Sequence, residues 1–345
     1  MITHEKFFNP LKSYSMKKIY SFLLFSSMVL ASKAQDIHFS QFYAAPLYMN
    51  PAKTGFFNGN YRMTAIYRNQ WRSVTVPYQT ISGSLDFSIP TGFDKKDMFG
   101  IGMMTFSDRA GDSHFTTNMF EGSVAYNKSL DRWGRSYLGF GIQAGYINSF
   151  LDYTYLSFDE NFEGGNTTEN FAYNTAGYVD VNSGVEYNYM PNKFTNVNFG
   201  FNVSHINRPV QTFMNDISSA VPRKYVASFG ATLPIASMAA IYPKIAYSKQ
   251  GPHQEFVCGA FGKVAMDKRK GQEKSVYIGA LNRWKDAAIF VARMDIDQVS
   301  FTFSYDLNYS KLAKVSHAQG GPEIAIQYIG SIPSMKKNKV YCPHF

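Results

Sequence analysis

Read at every second residue, positions 80–88 are Thr80, Ser82, Ser84, Asp86 and Ser88, and the alternate positions are Ile81, Gly83, Leu85, Phe87 and Ile89. Residues 299–308 repeat the arrangement, with Val299, Phe301, Phe303, Tyr305 and Leu307 on one side and Ser300, Thr302, Ser304, Asp306 and Asn308 on the other. A β-strand turns successive side chains to opposite faces, so each segment has one apolar and one polar face. The alternation runs from about residue 60 to 329 without a linker or second domain. It predicts about fourteen strands: 60–68, 78–89, 98–106, 116–127, 136–148, 178–190, 195–204, 225–233, 240–248, 254–263, 275–282, 286–294, 298–308 and 323–329. In a soluble sandwich the apolar face turns to a core. In an outer-membrane barrel it turns to lipid, and the polar face lines the lumen.

The start of the chain bears on that choice. Lys17 and Lys18 precede an apolar stretch from Ile19 to Leu30, and Ser32-Lys33-Ala34 closes it with small residues at its first and third positions. This is the layout of a Sec-type export signal, with translation expected from Met16, cleavage after Ala34 and Gln35 as the first mature residue. The apolar run is short of the ~20 residues that a membrane-spanning helix needs. A later apolar stretch, Leu233 to Ile245, is interrupted by Pro234 and Pro243. An exported chain without spanning helices is either soluble or a closed barrel, because lipid tolerates no unpaired backbone.

Composition favours the barrel. Aromatic residues make up 17% of the chain, with 30 Phe and 24 Tyr, and charged residues also only 17%, against ~25% in soluble domains. Girdles of Tyr and Phe at the two membrane interfaces account for such an excess. The connections give an internal check. Counted in order, the even ones are short (90–97, 128–135, 191–194, 234–239, 264–274 and 295–297), and all the long ones (149–177, 205–224 and 309–322) are odd. Long loops outside, short turns in the periplasm and both termini periplasmic is the arrangement expected of such barrels. The fold class predicted is all-β: a transmembrane antiparallel barrel over 35–331, preceded by a removed segment 1–34 and followed by a periplasmic tail 332–345.

Residues Gln35-Asp36-Ile37-His38-Phe39-Ser40-Gln41-Phe42-Tyr43, Pro46-Leu47-Tyr48-Met49-Asn50-Pro51-Ala52 and Tyr67-Arg68-Asn69-Gln70-Trp71 resemble the opening signature of the PorP/SprF family of the type IX secretion and gliding machinery. Ser107-Asp108-Arg109-Ala110-Gly111, Ser204-His205-Ile206-Asn207-Arg208-Pro209, Ser304-Tyr305-Asp306-Leu307 and Gly321-Pro322-Glu323-Ile324 are similar to further family motifs. The terminal Cys342-Pro343-His344-Phe345 is similar to the family's ending, with His where a basic residue is common. The resemblance covers essentially the whole mature chain. It implies an outer-membrane protein that works with a large secreted cargo carrying a C-terminal sorting domain, helping to secrete it or holding it at the surface. It also implies contact with the separate translocon and with periplasmic ring and motor components. The family offers no catalytic motif to carry over.

The residues themselves point to no enzyme and no cofactor. The seven histidines (His4, His38, His114, His205, His253, His317 and His344) lack metal-ligand spacing, and hydrolase and phosphate-loop signatures are missing. Nucleic acid is not a sensible partner for an exported barrel; outer-membrane lipid is. The alternation puts Asp86, Glu121, Asp180, Glu186 and Asp306 in the lumen, with Arg68, Arg72, Arg109, Arg208, Arg223, Arg283 and Arg293 placed to reach them. Two readings stay open: a selective, porin-like pore, or a salt-bridged lumen that closes the barrel. The formal charge of +9 is drawn partly from short-turn lysines and arginines such as Lys95, Lys128, Arg132, Arg135 and Lys193, which suits either an acidic periplasmic partner, as a scaffold would have, or a solvated rim.

The longest loop carries Tyr153, Tyr155, Phe158, Phe162 and Phe171 among Asp159 and Glu160. With Arg208, Phe213 and Arg223 of the next long loop, these are the expected partner-binding residues, since exposed aromatics beside fixed charges suit a protein interface. The same loop could instead fold inward and plug the barrel. Cys258 and Cys342 are the only cysteines, and an oxidising compartment allows a disulfide between them if the tail folds along the barrel.

Overall fold

The computed structural model describes residues 36–332 other than 71, 73–75, 92–95, 112–113, 156–172, 214–218, 268–272 and 312. The expected export signal and nearly all of the tail lie outside the described residues. Fourteen strands follow in order: β1 (Tyr61–Gln70), β2 (Tyr78–Pro90), β3 (Met98–Ala110), β4 (Phe115–Ser129), β5 (Ser136–Phe150), β6 (Thr175–Tyr189), β7 (Asn196–Ser204), β8 (Lys224–Ala236), β9 (Ala239–Gln250), β10 (His253–Asp267), β11 (Lys274–Arg283), β12 (Ala287–Ile296), β13 (Val299–Asn308) and β14 (Gln319–Gly330). Each matches an expected strand to within a few residues. Every strand pairs antiparallel with its sequence neighbours, and β1 pairs with β14 from Tyr61↔Gly330 to Arg68↔Glu323, so the barrel is closed and has no free end strands.

The two faces sort as the alternation predicts. Ile81, Phe120, Phe140, Ile142, Val179, Ile278 and Phe290 are exposed on the outside, whereas Thr80, Ser82, Asp86, Ser88, Asn127 and Ser304 are buried. A molecule that exposes its large apolar side chains in a continuous band and buries its polar ones is built for lipid on the outside. The long connections, 151–174, 205–223 and 309–318, all leave from one end, here the long-loop end. The turns 130–135, 190–195, 237–238 and 297–298 are at the other, the short-turn end.

The lumen departs from the expectation in two ways. First, it is not polar all round. Tyr242, Val257, Phe261, Tyr277, Leu281, Ile289 and Val291 of β9–β12 point inward and form a buried apolar cluster. Second, the chain before β1 fills the lumen. From Ile37 to Asn60 it runs as a 3₁₀ turn (Phe42–Ala44), a single helical turn α1 (Pro46–Met49) and another 3₁₀ turn (Pro51–Lys53). Pro46 and Pro51 start their turns at the first position, where the missing N–H is not needed. Asn50 caps the last turn by accepting the Ala52 amide at 3.0 Å.

This segment carries the lumen's apolar contacts. Phe42 packs into the β9–β12 cluster. Phe39, Ala44 and Ala45 pack on Ile66 of β1 and Ala325 of β14. Leu47 meets Met104, Phe106, Met119 and Ile147 of β3–β5, and Phe56 meets Met98, Tyr137 and Met190 at the short-turn end. Burying each large side chain contributes about 1.5–3 kcal/mol relative to leaving it exposed. The wall is cut back to receive the segment: a Cβ on Gly100 would lie 2.0 Å from the Thr54 carbonyl oxygen. The plug is therefore the N-terminal segment, and not a long loop among the described residues. It also corrects the expected course of the N-terminus. β1 starts at the short-turn end, yet Ser40 and Gln41 lie against the long-loop ends of β13 and β14.

Candidate functional site

Where the plug reaches the long-loop mouth, two arginines and three carboxylates meet it, and a fourth carboxylate, Asp286, backs Arg283 from the rim. The successive amides of Ser40 and Gln41 donate to the two oxygens of Glu323, each at 2.9 Å. The Ser40 hydroxyl donates to Asp306 at 2.7 Å, and the Gln41 side chain donates to Ser304 at 3.0 Å and to the Glu323 carbonyl at 2.9 Å. Arg68 donates to the His38 carbonyl and lies 3.3 Å from Asp306 and 3.6 Å from Glu323. Arg283 bridges Asp306 at 3.1 Å, Asp286 at 3.1 Å and Glu255 at 3.5 Å. Charges buried this deeply persist only when paired and hydrogen-bonded, and here the plug's own backbone supplies part of the pairing. The plug and the charged wall complete each other.

Lower in the barrel the pattern repeats. Arg62 holds Asp86 through two bonds at 3.0 and 2.7 Å and reaches the Lys53 carbonyl at 3.1 Å, while Asp86 also accepts the Gly55 amide at 2.8 Å. Lys53 pairs with Glu186 at 3.0 Å, and Asn50 donates to Glu186 at 3.1 Å and to the Val185 carbonyl at 2.8 Å. Beside the plug, Asn182 donates to Glu121 at 3.0 Å and His205 meets Asp180 at 2.8 Å. All five carboxylates expected in the lumen are there and buried. Of the seven arginines expected to reach them, Arg68 and Arg283 do; Arg293 pairs instead with Asp295 at 2.6 Å. Arg72, Arg109, Arg208 and Arg223 stay exposed. One crevice beside the plug, lined by His38, Phe39, Phe42, Lys224, Val226 and Glu255, encloses about 30 Å³. That is room for about two waters and not for a solute.

The expected partner-binding residues divide. Phe158, Asp159, Glu160, Phe162 and Phe171 lie outside the described residues. Tyr153 and Tyr155 bound a 3₁₀ turn just beyond β5, and the Tyr153 hydroxyl donates to the Tyr173 carbonyl at 2.7 Å. Phe213 sits edge-on to Phe115 at 6.2 Å, and Gln211 donates to Ser149 at 2.8 Å, so loop 205–223 leans across the mouth towards β4 and β5. Arg208 turns in the left-handed region with φ 49, and Arg223 donates to the Ile206 carbonyl at 3.2 Å. Cys258 stands half-buried on β10 opposite Ile245 and Asn282; Cys342 lies outside the described residues.

Sequence reasoning missed Arg62, Lys53, Glu255 and Glu323, and with them the plug. Two signals were present. Glycines recur at lumen-facing positions of neighbouring strands, and β9–β12 carry apolar residues on both faces, which a water-filled lumen would not require.

A family model described as the type IX secretion system membrane protein PorP/SprF matches residues 31–328. Comparison with curated proteins returns no match. Among solved structures, the CymD monoaromatic hydrocarbon channel is similar at 8% identity with a TM-score of 0.48, covering 84% of this chain and 93% of that one. The TodX monoaromatic hydrocarbon channel, as a deltaS2 mutant, is similar at 10% identity and 0.47, covering 84% and 94%. CdiB from Escherichia coli is similar at 9% and 0.46, covering 78% of this chain and 63% of that one, so this chain spans less than two thirds of its length. These are likenesses of barrel shape alone.

Proposed function

Because the chain belongs to the PorP/SprF family of type IX secretion system membrane proteins, we propose that it is a non-enzymatic outer-membrane barrel that receives a secreted surface protein. It takes the cargo's C-terminal sorting domain at its long-loop end, which faces outside, aids the cargo's release from the translocon, and anchors it as an adhesin or gliding protein. The leader is removed after Ala34, and the short-turn end faces the periplasmic ring components. The observation that carries this reading is the filled lumen. A solute pore needs a continuous wet path, but Phe39, Phe42, Leu47 and Phe56 bind the plug into four separate clusters, and the Arg68–Asp306–Arg283 pairs close it at the mouth. What remains for recognition is the rim.

The test is a detergent pull-down of the tagged full-length protein from its native outer membrane, read by mass spectrometry. One large exported protein with a C-terminal sorting domain is the expected catch, and deletion of residues 156–172 should release that protein from cells while the barrel stays folded. Recovery of periplasmic ring proteins alone would make the barrel a scaffold and end the cargo reading.

A further inference from the structure

β6 pairs with β5 from Thr175 to Tyr189, but with β7 only from Ser183 to Tyr189. β7 stops at Ser204, level with the start of β8 at Lys224. Above that level, from Thr175 to Asn182, β6 has a strand on one edge only. This leaves roughly 25 Å of β6, at about 3.3 Å per residue, without a neighbouring strand, and the loop after β7 covers only its lower half, Val179 to Asn182. The closed barrel thus has a step in its wall at the long-loop end.

The cause is local. His205 adopts φ 56 and turns the chain out of the sheet; its amide donates to Asn182 Oδ1 at 3.0 Å and its ring meets Asp180 at 2.8 Å. The loop touches the β6 edge at two points, Ile206 N–H to the Val181 carbonyl at 2.9 Å and Asn207 Nδ2 to the Val179 carbonyl at 2.7 Å. It then leaves the edge for Ser149 and Phe115. In an antiparallel sheet both backbone groups of one residue point to the same neighbour, and those of the next residue to the other. Asn174 accepts from Leu151 on the β5 side, whereas Val179 and Val181 accept from the loop. Thr175 and Gly177 therefore aim their N–H and C=O at the side that no strand covers among the described residues.

Unpaired edges template further strands, and proteins that must stay unpartnered blunt them with charges, Pro, bulges or a covering loop. The loop and the inward Asp180 do this over Val179–Asn182, but Thr175–Tyr178 contains no charged residue and no Pro, and its pairing with β5 runs in unbroken register. Val179, 60% exposed, and Tyr146, 53% exposed, flank it with apolar surface. Arg208 and Arg223, both exposed, stand where the loop leaves the edge.

We infer that the edge Thr175–Val179 is a β-augmentation site that takes an extended segment of the exported partner as an added strand, ending where the Ile206 amide already holds Val181. The segment is apolar at alternate positions and carries an acidic residue at the end nearest Arg208 and Arg223. Main-chain bonds supply the attachment and alternate side chains the selectivity. The partner's identity as cargo rests on the function proposed above; the edge itself rests on the pairing register.

Thr175→Pro and Val179→Pro each delete an N–H that points away from β5, so the β5–β6 ladder survives. Tyr178→Pro deletes one that points towards β5 and reports what ladder damage alone does. In the full-length protein, with folding monitored by heat-modifiable gel migration, the two edge prolines should lower cargo recovery at least tenfold. A photo-crosslinking residue at Val179 should yield an adduct with the cargo. Undiminished recovery by both folded edge variants, or an adduct only with residues 156–172 of the same chain, overturns the edge site while the cargo reading stands. If the unaltered protein recovers no exported protein at all, both are overturned.

Discussion

A Cβ added to Gly141 would lie 2.3 Å from the Ala52 nitrogen and 2.3 Å from the Pro51 carbonyl carbon, both backbone atoms of the plug. Neither can step aside without unseating the turn that Asn50 caps. Gly141→Leu should therefore displace the plug, and the purified variant should conduct in a planar bilayer where the unaltered protein is silent. Gly122, on the neighbouring strand with nothing within 4 Å of its Cβ, is the control, and Gly122→Leu should remain silent. A silent Gly141→Leu would mean that the segment can reseat. Asp97, at the short-turn entrance to β3, is a different kind of residue. Burial disfavours its charge, but Lys128 at 2.8 Å, the Tyr126 hydroxyl at 2.5 Å and the Ser129 amide at 2.8 Å outweigh that and hold its carboxyl below the usual 3.8. A depressed pKa stabilises the fold above the unfolded value, and the benefit is lost as pH falls through the folded value. Lys128 is half-exposed, which discounts its share. Asp97→Asn should cost about 1–3 kcal/mol in urea unfolding at neutral pH, and the gap to the unaltered protein should close as pH drops below 3.8. A pH-independent gap would remove the charge from the explanation.

At the scale of elements, strands and plug differ in what makes them legible. Ile81/Ser82 or Phe303/Ser304 announce a strand because the faces repeat every two residues, and the turns are punctuated by residues such as Pro191-Asn192-Lys193. The sorting of long loops to one parity was readable for the same reason, since each strand reverses the chain. The plug has no period. Asn50-Pro51-Ala52 can be recognised as a signature, but its role depends on Val185 and Glu186, which lie far along the chain. Deleting Ile37–Lys53 tests the element as a unit. The β1–β14 closure does not involve those residues, so the barrel should still fold and should conduct in a planar bilayer. Loss of folding instead would show that the plug is a core the barrel cannot form without.

For the whole molecule, the sequence by itself determined the strand number, the inside and outside of the strands that alternate polar with apolar, the end from which the long loops leave and the family to which the chain belongs. These are properties of neighbours in sequence, fixed by strand periodicity, turn chemistry and ordered motifs. It also determined that Asp86, Glu121, Asp180, Glu186 and Asp306 face inward. Only the tertiary structure decided what they face. Ser40 with Asp306, Gln41 with Glu323 and Arg62 with Asp86 become neighbours when the barrel closes in one register and the N-terminal segment lies inside it. Closure likewise turned the doubly apolar strands β9–β12 into one wall of a core, and it exposed the upper edge of β6 where β7 ends early. Contacts of this kind depend on shear and closure across the entire sheet, which no local pattern encodes.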